Sequence, residues 1–229
     1  MTTSENRVQT GSRIHTPFYR FAYKLAWILF HSLCPVRYHG EKALNAMDGP
    51  YILIANHQSM LDPIVLGAGL PDRELTFLGK KEIMKNPVLA WAVRKLHMIP
   101  VDRHNMDMEA MRACMKALKQ EEILGIFPEG TRHKAGVMQD LESGTAMIAL
   151  RSGAPLVPAL ISRPLRLFRR TECWYCKPIE TMDLRENGIN KETCEALTKR
   201  ITETYAAILA DPQERLMNDE SLHNAKSGT

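Results

Sequence analysis

The 229-residue chain contains no run of about 18 uninterrupted apolar residues, so an ordinary spanning helix is not expected. A cleavable signal pattern is also missing: the first fifteen residues are polar, and no small-residue cleavage site follows the first apolar run. There are no internal repeats or low-complexity stretches. Cysteine is sparse and scattered, with five residues at 34, 114, 173, 176 and 194. An odd, dispersed set does not make a disulfide framework and favours a reducing compartment. Cys173-Trp-Tyr-Cys176 is formally a C-x-x-C, but no second pair stands at zinc spacing, and strand residues three apart face opposite sides. Charge of neither sign dominates: 30 basic and 26 acidic residues give a net +4, which does not by itself suggest a nucleic-acid partner.

What remains is ordinary globular composition, 45% hydrophobic and 24% charged, in a length that suits one well-filled core. Thr16-Pro17 supplies a hydroxyl N-cap and an N1 proline, and Pro35 closes the helix that follows. That helix is apolar nearly all round. Its interruptions, Arg20, Lys24 and His31, share one narrow face, and Tyr19, Tyr23 and Trp27 are aromatics suited to a headgroup layer. A wide apolar surface with a basic stripe reads as a helix lying in a bilayer interface. A long helix packed on the protein's own core is the competing account.

Beyond it, the β-branched and aromatic runs at 36–39, 51–55, 75–78, 98–101, 124–127, 156–161 and 172–179 read as strands. Helical segments are expected at 62–70, 86–96, 107–120, 142–151 and 190–209, the third of them carrying Met108, Met111, Met115 and Leu118 as a core stripe and the last Leu197, Ile201, Ile208 and Leu209 on one side. Alternation of this kind predicts an α/β fold with a mixed, largely parallel sheet flanked by helices. The expected partition is residues 1–35 as a polar leader and membrane-associating helix, 36–210 as the α/β domain, and 211–229 as a polar, mobile tail.

Two segments carry candidate chemistry, each just after a buried strand, where α/β proteins place their sites. In Asn56-His57-Gln58-Ser59-Met60-Leu61-Asp62, histidine is suited to remove a proton near neutral pH, and a carboxylate on its second nitrogen would fix the tautomer. Positions five apart on a continuous helix differ by about 140°, so His57 and Asp62 meet only if the chain enters a helix between them. Asp62-Pro63 predicts that entry, with Asp62 at N-cap. Asp62 as a mere cap and His57 as a loop residue is the plainer account. In Phe127-Pro128-Glu129-Gly130-Thr131-Arg132, a glycine beside a hydroxyl and a guanidinium suits an anion, with a simple turn as the alternative. Glu129 would fix hydroxyl groups of a ligand or hold the arginine. Arg103, ending Ile99-Pro100-Val101-Asp102-Arg103, leaves a strand toward the same rim. His57, Asp62 and Glu129 make a thin ligand set for a metal, so none is expected. A dense basic run, Arg163, Arg166, Arg169 and Arg170, could meet anionic lipid or another acidic surface, and a solvated charged loop is the equal alternative.

NHQSMLD, VDR, FPEGTR and VPA, in that order, resemble the glycerolipid acyltransferase family with its N-H-x-x-x-x-D and F-P-E-G-T-R signatures, nearest the branch acting on 1-acylglycerol-3-phosphate. The likeness covers about residues 16–180. It implies direct transfer of a fatty acyl chain from an acyl carrier protein or coenzyme A thioester to the sn-2 hydroxyl of lysophosphatidic acid, without metal, cofactor or covalent acyl-enzyme. It further implies His57 as base, Asp62 as its partner, and Arg103, Glu129, Gly130, Thr131 and Arg132 around the acceptor. The setting it implies is peripheral or monotopic association with a phospholipid membrane at its cytoplasmic face. The chain departs from the family pattern where a glycine usually opens the second block, having His97 instead, and where a lysine often precedes the later glycine, having Leu141-Glu142-Ser143-Gly144.

Overall fold

The computed structural model describes residues 17–71, 73–101, 108–133, 138 and 141–218. Seven strands form one sheet: β1 (Val36–His39), β2 (Ile52–Ala55), β3 (Leu75–Lys80), β4 (Met98–Val101), β5 (Ile123–Ile126), β6 (Leu156–Ile161) and β7 (Thr171–Tyr175). Their order is β1-β7-β6-β2-β5-β3-β4, and every neighbouring pair is parallel except β6 with β7. The exception has a simple cause. The link of residues 162–170 is shorter than the dozen or so residues a parallel crossover takes, so the chain returns antiparallel.

β2 and β5 lie at the centre and are buried throughout, which is why they read as unbroken apolar runs rather than alternating ones. Alternation survives in where the side chains go. Leu53 packs in the core shared with α1 (Pro17–Ser32), α2 (Glu41–Asn45) and α3 (Asp62–Ala68). Ile52 and Ile54 enter the opposite core, beneath α5 (Met108–Lys119), α6 (Ser143–Ser152) and α8 (Lys191–Ala210). α4 (Pro87–Lys95) follows a 3₁₀ turn at Lys81–Lys85, and α7 (Met182–Glu186) precedes α8. A capping box between Asn190 and Thr193 starts α8. The short elements α2, α7 and the 3₁₀ turn carry too few residues to show a period, and the sequence gives no sign of them.

Several expectations shift in detail. Met108 is exposed, while Met111 and Leu118 enter the core together with Cys114, and Met115 packs half-buried against it. Leu209 also faces outward, while Tyr205 takes an interior position on α8. The packed chain does not end at residue 210: Leu216 bridges Cys176, and Met217 is buried against the first core, so the mobile-tail boundary drawn at 211 is too early. His97, where a glycine is expected from the family pattern, adopts a φ of 55°, the left-handed conformation a glycine would favour.

α1 serves two surroundings at once. Tyr19, Ala26 and Phe30 are buried on the domain, and the Tyr19 hydroxyl accepts from the Leu75 N–H at 3.2 Å. Phe21, Leu25 and Ile28, spaced four and three apart, form a second stripe and are exposed. At 100° per residue, Phe21 sits about 200° from Tyr19, on the opposite side of the helix. Tyr19 is therefore a core residue rather than a headgroup aromatic. No helix among the described residues is long and apolar enough to cross a membrane.

Candidate active site

β2 and β5 are adjacent and parallel, so the segments that follow them emerge side by side at their carboxyl ends. The first segment turns sharply into α3. Asp62 is its first helical residue, one position further in than the N-cap expected, and Leu61 takes the cap position without a side-chain bond. The Asp62 carboxylate turns back to the loop ahead of it. Its Oδ2 accepts from the Gln58 N–H at 2.6 Å, the Ser59 N–H at 2.7 Å and His57 Nδ1 at 2.9 Å. Asp62 is 1% exposed, so three donors converge on a carboxylate removed from water, each bond strengthened by the charge. This arrangement is more than a helix cap: it fixes the ring of His57 and leaves Nε2 as the nitrogen able to take a proton.

Further contacts hold the loop from both sides. The His57 ring stacks on Phe127 with centroids 4.2 Å apart, and Phe127 stacks in turn on Phe77 at 6.0 Å. Phe77 fits there because β5 carries Gly125 beneath it, where any Cβ would collide with the ring. Asn56, wholly buried, pairs with the main chain of Ile161 in both directions: its Nδ2 donates to the carbonyl at 3.0 Å and its Oδ1 accepts from the N–H at 2.8 Å. Gln58 Nε2 donates to the same carbonyl at 2.7 Å. Tyr205 contributes from α8, donating to the carbonyls of Ile54 in β2 and Ala159 in β6. Sequence reasoning assigned no role to Asn56, Gln58 or Tyr205. Asn56 stands inside the recognised motif, but its partner lies 105 residues away.

The second segment turns immediately after β5. Gly130 has a φ of 60° and its N–H donates to the Phe127 carbonyl, so the chain reverses at the position where only glycine is unstrained. Glu129 is buried and accepts the His57 N–H at 2.8 Å through Oε2. That oxygen is thus directed to the histidine loop, which adds a third role to the two considered from sequence. Thr131 and Arg132 are exposed at the rim. The His133 N–H donates to the His57 carbonyl at 2.9 Å, completing a two-bond stitch between the segments.

Beneath them opens a cavity of about 700 Å³, within the range of sites for small ligands. His57, Gly130, Thr131 and Arg132 line its polar part, and its walls include Leu29 of α1, Phe77, Met111 and Ile148. The structure therefore brings His57, Gly130, Thr131 and Arg132 together at one opening, with Asp62 and Glu129 buried behind them and bonded to His57. Arg103 lies outside the described residues. No group of three or more metal-ligating side chains occurs among the described residues. Asp62 Oδ2 and Glu129 Oε2 are engaged by the histidine loop. Cys114, on the cavity wall, has its thiol pushed up to about 12 by burial, so it stays protonated and is a poor nucleophile.

A family model described as Acyltransferase matches residues 35–162, spanning both motifs. The chain belongs to this acyltransferase family. A 1-acyl-sn-glycerol-3-phosphate acyltransferase of Bacillus subtilis is 32% identical over 146 residues, covering 64% of this chain and 72% of that one. One of the same name from Streptococcus pneumoniae is 27% identical over 191 residues, covering 80% and 70%. The crystal structure of the 1-acyl-sn-glycerophosphate (LPA) acyltransferase from Thermotoga maritima superposes with a TM-score of 0.59 over 84% of this chain and 78% of that chain. At 24% identity it supports the fold. Membership in an acyltransferase family accords with a site that joins a carboxylate-steered imidazole to a largely apolar cavity.

Proposed function

We propose that this enzyme is a 1-acylglycerol-3-phosphate O-acyltransferase, moving a fatty acyl chain from a coenzyme A or acyl carrier protein thioester to the sn-2 hydroxyl of lysophosphatidic acid to make phosphatidic acid. The observation that carries the proposal is the 2.9 Å contact of Asp62 with His57, whose side chain lines a largely apolar cavity. The names of the relatives from Bacillus subtilis and Streptococcus pneumoniae support the choice of acceptor.

In this reading His57 Nε2 takes the proton of the sn-2 hydroxyl as its oxygen attacks the thioester carbonyl. An alcohol is a weak nucleophile at neutral pH, and a positioned base contributes about 10²–10⁴ in rate. Asp62 holds the tautomer and stabilises the imidazolium that forms. The tetrahedral intermediate collapses with cleavage of the C–S bond, and the imidazolium returns its proton to the departing sulfur. No covalent acyl-enzyme, metal or cofactor takes part. Arg132 grips the acceptor phosphate with Arg103, while Gly130 and Thr131 offer main-chain and hydroxyl donors close to it. Glu129 holds the His57 loop against this subsite. The outward stripe of α1 rests in the interface of the phospholipid membrane on its cytoplasmic face, where both lipid substrate and product reside.

The test is an acceptor panel of lysophosphatidic acid, glycerol 3-phosphate and other lysophospholipids, offered with each thioester donor. Thiol release and phosphatidic acid are measured for wild type and His57→Ala. Lysophosphatidic acid is expected to dominate the panel, and His57→Ala to abolish turnover while keeping the wild-type Tm. More than a tenth of wild-type activity in the folded variant would remove His57 from the chemistry, whatever the acceptor.

A further inference from the structure

The link between β6 and β7 ends in a turn that acyl transfer does not use. The Arg169 N–H donates to the Arg166 carbonyl at 3.2 Å, and the two residues pair across the turn. Leu167 and Phe168 occupy its corners and are 63% and 77% exposed. Phe168 has a φ of 56°, a turn position that ordinarily calls for glycine and is strained for a bulky side chain. Strain of this kind persists where the surroundings impose it and concentrates in functional elements. Here the imposition is visible: the Phe168 N–H donates at 2.7 Å to the carbonyl of Leu33, just past the end of α1, and the Thr171 N–H to that of Pro35. The turn is thus fastened to the helix whose exposed stripe includes Phe21, Leu25 and Ile28. Arg163, Arg166, Arg169 and Arg170 are all exposed around the tip, and none forms an ion pair among the described residues.

We propose that the Arg166–Arg169 turn is a second membrane anchor, in which Leu167 and Phe168 enter the bilayer interface and the surrounding arginines bind the phosphates of anionic lipids. The inference rests on the reading of α1 as an interfacial helix and adds to it a separate contact with a charge preference. An apolar pair at the apex of a basic collar matches an anionic bilayer in both respects: aliphatic and aromatic groups bury at the headgroup boundary, and each nearby arginine gains from the negative surface potential. An acidic carrier protein would engage the arginines but gives no reason to display Phe168 in a glycine conformation.

The experiment uses the full chain and two kinds of vesicle, phosphatidylcholine alone and phosphatidylcholine containing phosphatidylglycerol. Partition is measured by sedimentation for the wild type and four variants. The wild type is expected to prefer the anionic vesicles. Arg166→Gln/Arg169→Gln should lose that preference, by about tenfold or more for two arginines. Phe168→Gly should bind both kinds about tenfold less, for loss of one large buried apolar group, while its Tm does not fall because the turn is relieved of strain. Phe168→Trp should add to the wild-type emission a component that shifts to the blue on anionic vesicles. Phe21→Ser/Leu25→Ser reports on α1 separately. If the glycine and arginine variants bind like wild type while the α1 variant does not, the turn is no anchor and the α1 reading stands. If the wild type ignores vesicles altogether, both fall. Unshifted emission from Phe168→Trp, with an arginine variant impaired only toward an acyl carrier protein donor, would overturn the proposal in favour of carrier docking.

Discussion

The main-chain N–H of His57 donates to Glu129 Oε2 at 2.8 Å, joining by one charge-assisted bond two motifs that stand 72 residues apart. Because the bond fixes the loop rather than the ring nitrogen proposed to take the proton, its loss should move the histidine without removing it. Hydrogen bonds to charged groups are worth roughly 1.5–3 kcal/mol, and about 1.4 kcal/mol of barrier is tenfold in rate. Glu129→Ala is therefore expected to lower kcat by about tenfold to a hundredfold, and Glu129→Gln, which retains an acceptor oxygen, by less. Equal losses in the two variants would mean that Glu129 acts through its charge on the substrate instead.

Asp62→Asn keeps the size of the side chain and an oxygen for the Gln58 and Ser59 N–H groups, but removes the charge that stabilises the His57 imidazolium. The expected result is loss of about 10³–10⁴ in kcat with acceptor KM nearly unchanged, the pattern of an interaction made only in the transition state. Steady-state kinetics with lysophosphatidic acid varied would decide it. A variant within tenfold of wild type would show that Asp62 serves the loop alone, through Gln58 and Ser59.

Arg132→Ala should act on binding. Its exposed guanidinium sits at the rim of the cavity, and removing it should raise the acceptor KM by about tenfold or more while the thioester KM holds. An acceptor KM that does not move would relocate the phosphate subsite.

Gly125→Ala probes the aromatic stack from below. The added methyl group meets the Phe77 ring, which presses on Phe127 and through it on His57. Overpacking of this kind costs about 1–3 kcal/mol, and for a chain of this size each kcal/mol lowers Tm by about 2–4 °C. A Tm equal to wild type would show that the ring yields freely.

The buried thiols predict a pH effect of definite sign. Burial raises Cys114 from 9.0 to about 12, so the folded protein keeps this proton well after the unfolded chain has released it. Its contribution to stability is complete below pH 9 and is lost as pH rises from there toward 12. Tm should decline over that interval, and less steeply in Cys114→Ala. Maleimide at neutral pH should leave activity intact, since all five cysteines are buried.

The parts of this molecule that could be read from sequence are those written locally. Asp62-Pro63 announces a helix start by side-chain chemistry alone, and five apolar residues before His57 announce a central strand. The motif order then named the fold. What stayed hidden depends on distant partners. Nothing near Asn56 foretells that it will bond Ile161, and nothing in α8 distinguishes Tyr205, whose hydroxyl braces β2 and β6 from beneath, from an ordinary core aromatic. Met108 and Leu209 failed for a related reason: helical spacing identifies an apolar arc, while the neighbouring elements decide how much of its width is covered.

α1 furnishes Ala22, Ala26 and Leu29 to the cavity and turns Phe21 and Ile28 away from the domain. One rigid rod is thus both the inner wall of the chamber and the outer skin of the molecule. Pressure on its outside is transmitted to the bore within, since a helix translates as a unit and packed side chains do not compress. On the proposed interfacial setting of α1, acyl-length preference is therefore expected to differ between micelles and bilayers.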